Sequence, residues 1–186
     1  MINELMIDIE SSGNVPGCKV LSLGAFGFDH KGNQVEFYRK FSPTKQIEAG
    51  LFDTADTMDW WNKQDENARL EAFSGTADPV VAIAEFKQFF YKNFSLSGKD
   101  EFRVWACGID FDFPILQAFF KVYGFQLPWK YWNHHDYRTI RNVFKFVKAH
   151  EMNGAKHNAI EDAKAQMRGL RAFYEHEFHK LDRASE

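Results

Sequence analysis

Residues 5–10 read Leu-Met-Ile-Asp-Ile-Glu, and this alternation constrains the fold more than any other segment of the chain. Successive strand side chains point to opposite faces, so Leu5, Ile7 and Ile9 share one face and Met6, Asp8 and Glu10 the other. An apolar face this regular predicts a central strand. Asp8 and Glu10 then share one small space at its carboxyl end, where α/β sheets bind ligands. Like charges so placed repel unless something positive lies between them. Taken alone, the two acids are also read as solvated strand-end residues opening the turn Ser11-Ser12-Gly13.

Val20–Phe28 and Val35–Phe41 continue as strands, joined by the turn Asp29-His30-Lys31-Gly32-Asn33, and Phe102–Cys107 forms a fourth. A short helix is expected over Asp59–Asn67. Pro79 opens another, with Ile83, Phe86, Phe90 and Phe94 at helical spacing up to the loop Ser95-Leu96-Ser97-Gly98. Pro114 opens a helix to about Tyr123, and Lys130–Trp132 forms a short strand. Asp136–His150 and Ala159–His179 are helical, the last with an apolar stripe of Ala163, Met167, Leu170, Tyr174 and Phe178. Three strands followed by helices that alternate with further strands predict a mixed sheet covered by helices, an α/β fold. At 186 residues the chain is expected to form a single domain, 1–186.

Composition narrows the function. Hydrophobic residues make up 45% and charged residues 26%, which excludes disorder as the main state. No stretch approaches the roughly 18 consecutive apolar residues of a membrane span. Glu4, Asp8 and Glu10 stand where a signal peptide would be basic and then apolar, so a cytoplasmic location is expected. Cys18 and Cys107 make no disulfide framework and are expected to be free thiols. The net charge of −3 argues against a passive nucleic-acid binder that grips phosphates with lysines. It leaves open an enzyme that grips phosphate through metal ions.

Two more segments carry acids. In Trp105-Ala106-Cys107-Gly108-Ile109-Asp110-Phe111-Asp112-Phe113-Pro114 a strand runs into a helix start, where Asp is also a favoured capping residue. In His157-Asn158-Ala159-Ile160-Glu161-Asp162, Asn158 and Glu161 have the capping-box spacing, which makes His157 and Asp162 the positions that meet across a helix start. An apolar pair usually packs there. A His and an Asp suit a polar site, although a surface His beside a first-turn Asp fits the same spacing.

Asp8-Ile9-Glu10, then Phe111-Asp112, then His157 with Asp162, resemble in order and spacing the three motifs of the DEDDh 3′→5′ exonucleases. Trp60-Trp61-Asn62-Lys63-Gln64 and Asp136-Tyr137-Arg138-Thr139-Ile140 are similar to segments of the branch holding phage exonuclease A and mycobacterial exoribonuclease-like proteins. The resemblance implies a ribonuclease-H-like fold with a mixed five-stranded sheet. It implies Asp8, Glu10, Asp112, His157 and Asp162 as catalytic residues; Asp112 is preferred to Asp110 because the family's acid follows a Phe.

Four carboxylates in one place require cations, and an all-oxygen donor set suits Mg²⁺ or Mn²⁺ rather than a zinc site. Two such ions bring +4 against the −4 of Asp8, Glu10, Asp112 and Asp162. A pair about 3.5 to 4 Å apart stabilises the attacking and leaving oxygens of an in-line displacement. His157 would take the proton from the attacking water, a task that an imidazole of ordinary pKa near 6.5 suits. The expected reaction is hydrolysis of single-stranded DNA or RNA from a free 3′ end to nucleoside 5′-monophosphates. Ser11, Ser12 and Gly13 are expected to offer backbone N–H and hydroxyl groups to the substrate, Trp61 or Phe111 to stack on a base, and Arg138 to hold a phosphate. Core packing for the two aromatics and an ion pair for Arg138 are the alternatives. The rival function is a nucleic-acid-binding or scaffold domain of the same fold without turnover, and exposed aromatics are compatible with a homodimer.

Overall fold

The structure, a computed structural model, describes residues 2–29, 31–94, 102–151 and 157–184, with side chains to residue 177. Strands β1 (Glu4–Ser11), β2 (Val20–Phe28), β3 (Gln34–Lys40), β4 (Arg103–Ala106) and β5 (His134–Asp136) form one sheet in the order β3-β2-β1-β4-β5. β2 pairs antiparallel with β1 and β3, whereas β4 runs parallel to β1 and β5. The sheet is therefore mixed and five-stranded, as expected, with the acid-bearing strand at its centre.

Helices cover both faces: α1 (Pro43–Glu48), α2 (Ala55–Trp61), α3 (Glu66–Phe73), α4 (Pro79–Asn93), α5 (Ile109–Val122), α6 (Tyr137–Val143) and α7 (Ala159–Ala184). Leu5, Ile7 and Ile9 pack with Ile83, Phe86 and Phe90 of α4 and with Phe113, Leu116 and Phe119 of α5. Across the sheet, Met6 packs with Ala163, Met167 and Leu170 of α7. Asp8 and Glu10 follow Met6 on that second face. The alternation of one six-residue segment thus assigns the larger apolar core to one side and the acids to the other. Among the described residues, no helix is long and apolar enough to cross a membrane. Both cysteines are free.

Several elements differ from their expected limits. The helix expected over Asp59–Asn67 is two helices, because the Asp65 carboxylate caps a new start by accepting from the N–H groups of Asn67 and Ala68. The α1 helix was not expected; Pro43 begins it. Pro114 does not open α5 but lies inside it, five residues after the start at Ile109. Gly108, at φ 107°, turns the chain sharply out of β4, so the helix begins early enough to carry both Asp110 and Asp112 in its first turn. Lys130–Trp132 is not a strand: a 3₁₀ turn at Tyr131–Asn133 precedes β5. The helix expected over Asp136–His150 is α6 followed by a 3₁₀ turn at Lys145–His150, and α7 runs past His179. His30, the loop Ser95-Leu96-Ser97-Gly98 and the Phe178 side chain lie outside the described residues.

Candidate active site

Asp8 and Glu10 are joined by Asp162 from the first turn of α7, and ligand oxygens of the three lie within 4.8 Å of one another. A missing side chain on β2 permits this approach. Gly24 stands opposite Asp8 in the β1–β2 ladder, and a Cβ there would meet the carbonyl carbon and oxygen of Ala159 at 2.3 Å. The start of α7 therefore rests directly on the β2 backbone, with its first-turn acid facing β1.

Asp112 enters from the other side. Pairing between β1 and β4 ends at Met6 and Trp105, and beyond that point the backbone N–H of Ile9 donates to the Asp112 carboxylate. Asp112 is buried and carries its charge against Asp8 and Glu10, whereas Asp110, two residues earlier, is exposed. Helical spacing alone separates them: the two point to different sides of α5.

The cluster resists ionisation. Burial, then the charges of Asp112, Glu10 and Asp162, push the Asp8 carboxyl well above its ordinary range; a hydrogen bond of 2.8 Å from Gln166 Nε2 opposes the shift. Burial, Asp162 and Asp112 raise Glu10 to about 8. Burial raises Asp112 to about 7 against the Ile9 N–H and the Arg138 charge. Asp162 is also raised by burial, and the His157 charge with the backbone N–H groups of Asn158 and His157 opposes it. Four buried or half-buried acids with raised proton affinity and only oxygen donors fit divalent cations, which would replace the protons and satisfy the charge. The Oε1 of Gln166 is buried without a hydrogen-bond partner and leaves one acceptor over at this place.

His157 has a left-handed backbone, φ 63°, and precedes the Asn158 cap, whose Oδ1 accepts from the Glu161 N–H at 3.4 Å. Its ring meets Trp60 edge to face at 4.8 Å and lies 5.9 Å from Trp61. A cavity of about 510 Å³ opens beside it, lined by Gln64, Asn67 and Asn158 among others.

Not every expected substrate residue faces this space. Trp61 is 1% exposed: its Nε1 donates to the Ser11 carbonyl at 2.9 Å and its ring packs with Leu21 and Ala72, so it has no face for a base. The neighbour Trp60, 41% exposed, has one. Ser11 and Ser12 are buried, their hydroxyls donate to the carbonyls of Gly13 and Phe52, and the Ser12 N–H donates to Lys19. Gly13 is a packing residue, since a Cβ would meet Cys18 Cβ at 2.5 Å. The two hydroxyls and the Ser12 N–H are therefore committed to the fold. Phe111 is half-buried against the larger core. Arg138 is exposed, and its Nη2 donates to the Cys107 carbonyl at 2.7 Å above Gly108.

Sequence reasoning missed Gln166 and Gly24. Gln166 follows Asp162 by four residues and so lies on the same helix face. Gly24 interrupts the apolar run of β2, the usual mark of a close backbone approach.

The profile of the 3′-5′ exoribonuclease Rv2179c-like domain family matches residues 3–174. An exodeoxyribonuclease of Enterobacteria phage T4 is 28% identical over 169 residues, which cover 78% of this chain and 73% of that protein. Among solved structures, E. coli exonuclease I in complex with a dT13 oligonucleotide superposes with a TM-score of 0.62 at 14% identity, over 96% of this chain and 45% of that one. The zinc-ion-bound exonuclease I complex with single-stranded DNA gives 0.55 at 13% identity, over 87% of this chain and 38% of that one. At such identities the likeness concerns the fold, and this chain spans less than half the length of those exonuclease I chains.

Proposed function

Because the chain belongs to the 3′-5′ exoribonuclease Rv2179c-like domain family, we propose that it hydrolyses single-stranded nucleic acid from a free 3′ end, releasing nucleoside 5′-monophosphates. It is a hydrolase of the exonuclease class with a ribonuclease-H-like fold. The observation that carries the specific reading is the convergence of Asp8, Glu10, Asp112 and Asp162 from three separate elements, with His157 beside them.

Asp8, Glu10 and Asp162 would hold one divalent cation, and Asp8 with Asp112 a second; Mg²⁺ or Mn²⁺ suits the oxygen donors. Such a pair supplies positive charge to both the attacking and the leaving oxygen of an in-line displacement. Within this site, the Gln166 amide fixes the orientation of the Asp8 carboxylate. His157, held by Trp60 and the Asn158 cap, stands ready to take the proton of the attacking water at an imidazole nitrogen. The exposed face of Trp60 is the surface on which a terminal base would stack, a contact worth roughly 1 to 3 kcal/mol and tolerant of sequence. Arg138 stands at the Asp112 side, where a non-bridging phosphate oxygen would meet it.

The test uses matched DNA and RNA oligomers, labelled in turn at each terminus, with Mg²⁺, Mn²⁺ or chelator. Stepwise shortening of the 5′-labelled strand with immediate release of mononucleotide from the 3′-labelled one is expected, and none with chelator. No release from either polymer with either ion would refute the enzyme, and shortening from the 5′ side would refute its polarity.

A further inference from the structure

The segment from α6 through the following 3₁₀ turn carries two interleaved stripes. Tyr137, Ile140, Phe144 and Val147 pack together with Ala163, Met167 and Leu170 of α7. One residue after each stands a cation: Arg138, Arg141, Lys145 and Lys148. Burial of the apolar stripe turns the other outward, and Arg138, Lys145 and Lys148 are exposed. Arg141 is half-buried and ion-paired with Glu151 at 3.0 Å.

Composition does not explain this concentration, since the chain as a whole carries a net charge of −3. The acids that flank the segment are already committed. Asp136 caps α6 through the Thr139 N–H and also accepts from the Gly108 N–H. Glu151 accepts from Tyr137 as well as pairing with Arg141. Lys145 and Lys148 have no ion pair among the described residues.

The stripe has a direction. β5 runs parallel to β1 through β4, so α6 begins at the edge of the sheet where Asp8 and Glu10 stand. Arg138 is at that end, bound to the Cys107 carbonyl and within electrostatic reach of Asp112. From there the exposed cations continue, across the break in the helix at Phe144, onto the 3₁₀ turn that carries Lys145 and Lys148.

We propose that Arg138, Lys145 and Lys148 form a track for the phosphodiester backbone of the single strand on the 5′ side of the bond being cut. The proposal rests on the acid cluster being the exonuclease site. It supplies what the acids lack, a sequence-independent grip on the part of the substrate that is not reacting. The shared chemistry is the backbone phosphate, of DNA or of RNA.

The test is the double variant Lys145→Gln/Lys148→Gln, two exposed positions whose loss leaves the packed apolar stripe intact. kcat/KM is measured on dinucleotides and on 12-mers of DNA and of RNA across a salt series. A loss that grows with length is expected: about tenfold on a 12-mer in 0.1 M salt and under about twofold on a dinucleotide. The log–log salt slope on the 12-mer should become shallower by about 1.4, or ~0.7 for each phosphate contact removed from a single strand. Loss on both polymers, or on one, supports the track and names the strand it serves. Unchanged 12-mer kinetics, or an equal loss on dinucleotide and 12-mer, overturns it. Fluorescence anisotropy of a labelled 12-mer with wild type and variant decides the track independently of cleavage: weaker binding by the variant supports it and equal affinity overturns it. A wild type that binds but does not cleave refutes only the exonuclease reading.

Discussion

Gly24 faces Asp8 across the β1–β2 ladder, and the space where its side chain would stand is filled by the Ala159 backbone at the start of α7. The helix that brings His157, Asp162 and Gln166 to the acids is thus seated by an absence. Gly24→Ala forces that start away from the sheet, because the contact at 2.3 Å is with backbone, which cannot rotate aside. Activity should fall at least about a hundredfold, the scale of an ångström misplacement in a catalytic site, with a stability cost of about 1–3 kcal/mol. Steady-state rates and thermal melting measure both; a variant with wild-type turnover would refute the seating role.

Asp8→Asn should abolish activity while stabilising the metal-free protein above neutral pH, because it removes one of four mutually repelling acids gathered in one place. A rise of a few degrees in Tm at pH 8, with turnover at background, is the expected pair of results.

The pH dependence follows from the same acids. Glu10 is raised to about 8 and Asp112 to about 7, so the folded state binds more protons than the unfolded chain between the ordinary carboxylate range and pH 8. Metal-free stability is therefore greatest at the acidic end of that window and declines as pH rises through it. Mg²⁺ or Mn²⁺ should reverse the decline, with an increment in Tm that grows from pH 5 to pH 8. Melting curves with and without the ion test this, and an increment independent of pH would contradict it.

Gln166→Leu removes the hydrogen bond to Asp8 together with an acceptor that is buried without a partner. Divalent-ion affinity by calorimetry should weaken by roughly 10- to 100-fold, the usual effect of losing a group that orients a metal ligand. Melting of the metal-free protein should change little. Unaltered ion affinity would show that Asp8 needs no orientation from α7.

Trp60 and Trp61 should separate cleanly. Trp61→Ala empties a buried site and removes a hydrogen bond to Ser11, costing about 3–5 kcal/mol of stability. Trp60→Ala should keep the fold and instead raise KM and lower kcat, since its ring touches His157 and has an exposed face. Trp60→Phe restores part of both. Equal destabilisation by the two alanine variants would remove Trp60 from the site.

Much of the fold was legible because it depends on short-range patterns. The alternation of Leu5–Glu10 placed β1 at the centre and the acids on one face, and Val20–Phe28 was found at its observed limits. Boundaries failed where local chemistry set them: Asp65 capping a new helix, and Gly108 starting α5 ahead of its proline. The turn after β1 misled for a related reason. Ser11 and Ser12 are polar by composition, but their hydroxyls and the Ser12 N–H are spent within the fold.

The sequence by itself determined which side chains are the candidates for the chemistry, since carboxylate pairs, a capping pattern and motif order are properties of neighbouring residues. Tertiary structure alone decided which of two adjacent tryptophans keeps an exposed face, which of two nearby aspartates turns inward, and that a bare glycine admits the helix that completes the cluster. Those outcomes depend on contacts between elements far apart in the chain, where a shift of one ångström changes what fits, and no local pattern records such distances.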